Sequence, residues 1–246
     1  MKKNILLLGG SGNLGSNIIK SKLFKNLKSP PKKILNILNK VKIEKYLMKN
    51  KIDLVIHGAG IARVKTCEKN KKKAYNTNVT GTSNIVNSII KIKKKFNKDI
   101  KIVFISSDAV YPSTKGNYKE TDKPKHYNYY GYTKIKGEKL IKKTQKYIII
   151  RTRFFDKRKI PFSYSAVNIY NSGLEVSVFI RFLKKLINKN FHGIINVGGK
   201  RISDYKKYKK YKKNLKPVDK SKIFDELNFR IAIDASLNIK KLKNFL

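Results

Sequence analysis

The chain has 246 residues and a formal net charge of +44, from 59 Lys and Arg against 15 Asp and Glu, while 40% of its residues are hydrophobic. That length suits one domain, or one large domain with an appended lobe, and the apolar share supports a sizeable core. All but seven of the basic residues are Lys, scattered over nearly every segment, which fits solvated faces and excludes a dedicated, Arg-rich nucleic-acid surface; attraction to anionic ligands is still expected.

Met1-Lys2-Lys3 before Ile5–Leu8 mimics the start of a leader, but the apolar run is too short and ends in glycines. Residues 3–8 instead predict a strand buried on both faces. Gly9-Gly10-Ser11-Gly12-Asn13-Leu14-Gly15 follows, and Ile18, Ile19, Leu23 and Phe24 then recur at helical spacing. Strand, glycine turn, helix is the context in which G-x-x-G-x-x-G binds a dinucleotide. Gly9 permits the tight turn, Gly12 lets backbone approach a pyrophosphate, and Gly15 lets helix and strand pack closely. Ile34-Leu35-Asn36-Ile37 predicts the second strand. No acid occurs before Glu44, which leans the cofactor towards NADP, with NAD as the alternative.

Val41–Lys49 predicts an amphipathic helix, and Asp53–Gly60 a buried strand ending in the small residues Gly58, Ala59 and Gly60, against which a flat ring can lie. His57, on that apolar strand, reads as structural. Cys67, the sole cysteine, rules out an internal disulfide and fits a reducing cytoplasm. A long helix is expected over residues 76–95, its apolar stripe able to face the sheet or a second subunit, so that a homodimer stays open. Strands are expected at 100–106 and 147–151, and a helix at 131–145. No run is long enough to cross a bilayer, no membrane insertion is expected, and no metal site is expected.

Repeated strand–helix order predicts an α/β fold, a Rossmann-type doubly wound parallel sheet over residues 1–152. Residues 153–246 are expected to form a small C-terminal substrate-binding lobe over the carboxyl ends of the strands. Within it, helices are predicted at Glu175–Ile187, Tyr205–Lys213 and Ser236–Phe245, and a strand at Gly193–Val197. Tyr205, Tyr208 and Tyr211, three apart, are read as a core-facing stripe.

Five of the 14 tyrosines have a Lys four residues on, so that spacing alone carries nothing. Tyr130 differs in its surroundings: Ser107 ends a buried strand 23 residues earlier, Gly131 follows, and Lys134 lies one helical turn along on the same face. With Gly9–Gly15, Asp53–Gly60, Asn78-Val-Thr-Gly81, Ile105-Ser-Ser-Asp-Ala-Val-Tyr111, Glu120-Thr-Asp122, Asn128–Glu138 and Ile150-Arg-Thr152, this region resembles the extended short-chain dehydrogenase/reductase family. Within that family it looks most like the dTDP-4-dehydrorhamnose reductase-like sugar-nucleotide reductases. Weaker echoes run through Gly193–Gly199 and Arg230–Leu242.

The resemblance implies hydride transfer to a nucleotide-linked 4-keto-6-deoxy sugar. Tyr130 would be the general acid, and Lys134 would lower its pKa and bind the cofactor ribose. Ser107 and Asp108 would contact the substrate. Gly9, Ser11, Gly12, Asn13, Leu14, Gly15, Gly58, Ala59, Gly60 and Asn78 would line the cofactor site together with Tyr130 and Lys134. Sugar-nucleotide dehydratases of the superfamily carry an Asp-Glu pair where this chain has Asp108-Ala109, which argues against dehydration. A C4 epimerase and a non-catalytic, cofactor-binding regulatory subunit stand as the other readings.

Overall fold

The computed structural model describes residues 3–227 and 229–246; Met1 and Lys2, the start of the leader-like run, fall outside them. Its centre is a six-stranded parallel sheet of β1 (Ile5–Leu8), β2 (Leu27–Lys28), β3 (Leu54–His57), β4 (Lys101–Ile105), β5 (Tyr147–Thr152) and β10 (Gly193–Val197), in the order β10-β5-β4-β3-β1-β2. Between them run α1 (Asn13–Ser21), α2 (Lys40–Lys49), α3 (Val64–Lys69), α4 (Lys71–Tyr75), α5 (Gly81–Phe96) and α6 (Tyr129–Ile141).

Alternation along the strands explains why both faces must be covered. Ile5, Leu7, Leu54, Ile56, Val103, Ile105, Ile148 and Ile150 enter one core with Leu14 and Ile18 of α1. Leu6, Leu8, Val55, Ile102, Phe104 and Ile149 enter the other, against Ile43 and Leu47 of α2 and Ile85, Ile89 and Ile92 of α5. The result is a doubly wound, Rossmann-type α/β fold. From β1 the chain first builds outward to β2 and then crosses back to β3, so the switch point lies between β1 and β3, above the glycine turn.

The second strand is not where alternation placed it. Pairing with β1 uses only Leu27 and Lys28, because Pro30 and Pro31 cut the strand short. Residues 32–34 form a turn, with Ile34 and Leu35 N–H groups both donating to the Pro31 carbonyl, and Leu35 and Ile37 plug the α2–α5 core. Two apolar residues two apart fit a plug as well as a strand. The helix expected over 76–95 is also divided: a single π-helical turn, Asn76–Thr80, precedes α5.

Beyond Thr152 the chain makes β6 (Phe154–Phe155), β7 (Tyr164–Ala166), β8 (Tyr170–Asn171) and β9 (Leu174–Glu175), then α7 (Val176–Asn188) ahead of β10. It ends in β11 (Ile202–Ser203), α8 (Asp204–Lys209), β12 (Lys216–Val218), α9 (Lys220–Asp225) and α10 (Lys240–Phe245). The short strands pair as β11-β8, β12-β7 and β6-β9. Residues 176–197 return to the main sheet: Phe179, Leu183 and Leu186 of α7 join the α1 core, and β10 extends the sheet beside β5.

Two lobe expectations are corrected. The final helix begins at Lys240, since Ser236 and Leu237 are held extended beside Asn117 and Tyr118. The tyrosine stripe does not face the core: Tyr211 is exposed, and the buried residue of α8 is Lys207. Its ammonium donates to Asp204 Oδ1 and Asn171 Oδ1, each at 2.6 Å, which satisfies the buried cation. Tyr208 instead packs edge-on against Phe155 and Phe162.

Candidate active site

The glycine turn is built as its spacing requires. Gly9 sits at φ +93°, and a Cβ there would lie 2.7 Å from the Ala59 backbone nitrogen. A Cβ on Gly15 would come within 2.1 Å of the Gly9 carbonyl oxygen, so α1 abuts the turn only without a side chain. Gly12, the N-cap of α1, makes no side-chain cap, and the first helical turn carries no acid. Its open backbone donors therefore face an adjacent cleft of about 470 Å³.

That cleft joins the ends of β1, β3, β4 and β5. Gly9, Gly12, Asn13, Leu14, Gly15, Gly58 and Gly60 line one part; Ser107, Asp108, Tyr130, Lys134, Thr152 and Arg153 line the other. Three expected members lie off its wall. Ser11 is exposed on the turn, and Ala59 packs against the α2–α5 core. Asn78, buried on the π turn, uses its amide on the Ile61 N–H and carbonyl and on Thr133 Oγ1, so it ties the loop after β3 to α6.

The first turn of α6 is fixed from three sides. Asn128 Oδ1 accepts from the Gly131 N–H, and Glu68 Oε1 accepts from the Tyr129 N–H, both favourable at a helix N-terminus. A Cβ on Gly131 would sit 2.2 Å from the Ala109 carbonyl oxygen, so only glycine lets this turn touch the loop that carries Ser107. Further along α6, Glu138 holds Arg151 of β5 in a fully buried fork, Nε to Oε1 at 3.0 Å and a terminal nitrogen to Oε2 at 2.7 Å. Ser106 Oγ donates to the same Glu138 at 2.6 Å. Helix, β4 and β5 are thereby pinned at their carboxyl ends.

Within this frame Ser107 Oγ accepts from the Ala109 N–H at 3.2 Å and donates to Asp108 Oδ1 at 3.0 Å. Asp108 is buried and paired with Arg153 Nε at 2.6 Å. Burial pushes the Tyr130 phenol well above the usual tyrosine range; the Ser107 hydroxyl beside it opposes this, and the Asp108 charge adds to it. Lys134 points its ammonium at the Ile105 carbonyl, 2.8 Å away, over the Phe104 ring. Its pKa is pushed down to about 8 by burial, against the pull of Glu138. Burial thus dominates the Tyr130 pKa, and Tyr130 keeps its proton at neutral pH.

His57, buried with Nε2 2.9 Å from Thr82 Oγ1, is held neutral, its pKa pushed down to about 3 by burial. Sequence reasoning missed Arg153, Tyr127 and the Glu138–Arg151 fork. The available signal was scarcity: two of only seven arginines stand at the end of one buried strand.

Fold and site together define an α/β protein of the short-chain dehydrogenase/reductase type, with Ser, Tyr and Lys gathered beside a glycine-rich turn. The sequence profile described as "RmlD substrate binding domain" matches residues 1–179, and the chain belongs to that family. The structure superposes on dTDP-4-dehydrorhamnose reductase from Bacillus anthracis, solved in complex with NADP, with a TM-score of 0.87 and 22% identity over 99% of this chain and 93% of that one. A hypothetical dTDP-4-dehydrorhamnose reductase from Sulfolobus tokodaii gives 0.80 at 25% identity, covering 99% and 94%. Among curated proteins, UDP-glucose 4-epimerase from Rickettsia bellii is 31% identical over 136 residues, 45% of this chain and 38% of that protein. The epimerase from Rickettsia canadensis is 44% identical over 62 residues, 25% of this chain and 17% of that protein. The chain thus matches well under half the length of these curated relatives. Among the described residues no helix is long and apolar enough to cross a membrane.

Proposed function

We propose that the chain is an NAD(P)H-dependent reductase of a nucleotide-linked 4-keto-6-deoxy sugar. The single observation that carries this is the shared cleft, which places Ser107, Tyr130 and Lys134 opposite Gly9, Gly12 and Gly15.

The residues present fit a dinucleotide. The uncapped start of α1 offers backbone donors to a pyrophosphate, and a Cβ on Gly12 would meet nothing closer than the Gly9 carbonyl at 3.4 Å, so backbone is exposed to the cleft there. Thr152 Oγ1, on the cleft wall, is buried without a partner among the described residues. When bound, the reduced nicotinamide supplies the hydride.

Everything else falls to side chains. Tyr130 gives its phenolic proton to the carbonyl oxygen of the sugar, a transfer that its burial opposes and that the Lys134 ammonium, 5.8 Å from its ring centre, assists by favouring the phenolate. Ser107 sits beside the phenol, and its hydroxyl turns from Asp108 to the same oxygen. Lys134, cationic below about pH 8, exchanges the Ile105 carbonyl for a ribose hydroxyl and stabilises the phenolate left behind. Asn78 acts at one remove by positioning Ile61 and α6. Residues 1–152 form the dinucleotide half. The substrate lobe comprises the stretches of 153–246 outside α7 and β10.

The named curated relatives favour one second reading, a sugar-nucleotide C4 epimerase. The two separate cleanly when purified protein is mixed with NADPH and a panel of 4-keto sugar nucleotides. A reductase consumes NADPH with one of them; an epimerase retains bound NAD, interconverts 4-hydroxyl epimers and consumes none. No turnover across the panel defeats the reductase reading.

A further inference from the structure

A second cavity of about 420 Å³ adjoins the cleft, lined by Phe162, Tyr164, Ala166, Ile169 and Tyr208 among others. Only Val64, Tyr127 and Arg153 line both. Arg153 is thus the one cation among the described residues that lines both. Its Nε–H is committed to Asp108, and the Tyr127 hydroxyl shares its guanidinium. The outer edge of the fork remains, and no second carboxylate is ion-paired with it among the described residues. Asp204, the other acid near it, is taken by Lys207 and Asn171. The side chain keeps 30% of its surface exposed, whereas Asp108 keeps 3%. Asp108 and Tyr127 engage part of this planar fork, and the donors left over, on a side chain that lines both cavities, suit an oxyanion.

We infer that Arg153 is the substrate-anchoring residue of this site, gripping an oxyanion of the substrate at the junction of the two cavities. The inference rests on the proposed reductase reading for the identity of that substrate. Two hydrogen-bond links, 3.0 and 2.6 Å, separate Arg153 from the Ser107 hydroxyl through Asp108. The two links end on the two oxygens of one carboxylate, so Arg153 lies within one sugar's reach of that hydroxyl. A carbonyl at C4 on Ser107 and Tyr130 therefore places the phosphate on C1, across the ring, at Arg153, and sends the nucleoside into the aromatic cavity. A carboxylate on the sugar is the other source of the same chemistry. Asp108 and Asp204 balance Arg153 and Lys207, and Glu226, which also lines the second cavity, accepts from the Tyr164 hydroxyl, so no cationic surplus gathers here. Grip then comes from directed N–H donors, with the +44 net charge assisting approach.

Calorimetric titration of the full chain at fixed salt tests this with four probes: UDP, dTDP, the free nucleosides and glucuronate. Arg153→Met should weaken the favoured nucleoside diphosphate about 30-fold, as expected for losing hydrogen bonds to a charged group. Nucleoside and NADPH affinities should stay unchanged. Arg153→Lys should recover part of the loss, and Arg201→Met, outside both cavities, should show none. Loss for glucuronate instead of the diphosphate would also support the anchor and identify a carboxylate as the source. Unchanged affinity for every anion, or no binding of any anion by the wild type, overturns it. Should Arg153→Met not fold, because Asp108 is left unpaired, Asp108→Asn/Arg153→Met removes that charge, and the same comparison decides. A wild type that reduces no sugar nucleotide, yet loses diphosphate affinity on Arg153→Met, defeats the reductase reading and leaves the anchor standing.

Discussion

The two halves of this molecule are held together by different means. In the dinucleotide half, the strands other than β2 run four to six mostly apolar residues buried on both faces, and helices such as α2 and α5 cover them with periodic stripes. In the lobe, paired strands are two or three residues long and position rests on individual side-chain contacts. Examples are the Asp204–Lys207–Asn171 knot, Arg201 between Asp234 and the Tyr170 ring, and the Phe155–Phe162–Tyr208 cluster. Non-directional burial specifies the first half and directional bonding the second. Chemistry sits where they meet, on the rigid strand ends of one and under the adaptable contacts of the other.

The sharpest break in that contrast is the buried Glu138–Arg151 fork inside the regular half. Arg151→Met leaves Glu138 buried without its partner, and should lower unfolding free energy by about 3–5 kcal/mol in denaturant titrations, with turnover falling as α6 loosens. Next in size, Gly131→Ala drives a methyl into the Ala109 carbonyl and shifts the first turn of α6 from Ser107. Turnover should drop about 100-fold with NADPH affinity nearly intact, as for a misplacement near 1 Å.

The Lys134 prediction carries a sign. Its pKa, about 8 in the free protein, lies below the ordinary 10.5, so the cation proposed to grip ribose is present below about pH 8 and lost above it. NADPH affinity should therefore fall up to about tenfold per pH unit above that point. Lys134→Met should flatten the profile. The same shift makes the fold gain stability between pH 8 and 10.5, as the buried ammonium discharges.

The smallest effect belongs to the lobe. Lys207→Met unties one knot, and should cost about 1–2 kcal/mol, seen as faster amide exchange around α8. Exchange in β1, β3 and β4 should not change. A global loss of protection there would mean that the two halves fold as one unit and that the contrast is wrong.

The contrast also explains what was legible in the sequence. β1, β3, β4, β5 and β10 could be read because strands covered on both faces become unbroken apolar runs, and α7 because Val176, Phe179, Ile180 and Leu183 keep strict helical spacing. The second strand was misplaced because Leu35 and Ile37 imitate alternation while serving as a plug. The short lobe strands left no period to read. The tyrosines of α8 misled for the opposite reason: a buried Lys207 cannot be foreseen without knowing that Asp204 and Asn171 meet it. In the site, Gly9, Gly12, Gly15, Ser107, Asp108, Tyr130 and Lys134 were nominated from motif context and share one cleft. Arg153 was not, since its importance depends on a cavity that only the folded lobe creates.

The most direct test of the central claim is the rate of NADPH oxidation by wild type and Tyr130→Phe with a nucleotide-linked 4-keto-6-deoxy sugar, NADPH binding being checked in both. The proposed chemistry predicts turnover by the wild type and a loss of about 100-fold or more in the variant, with cofactor affinity retained. Equal turnover by the two proteins, or none by the wild type, would contradict it.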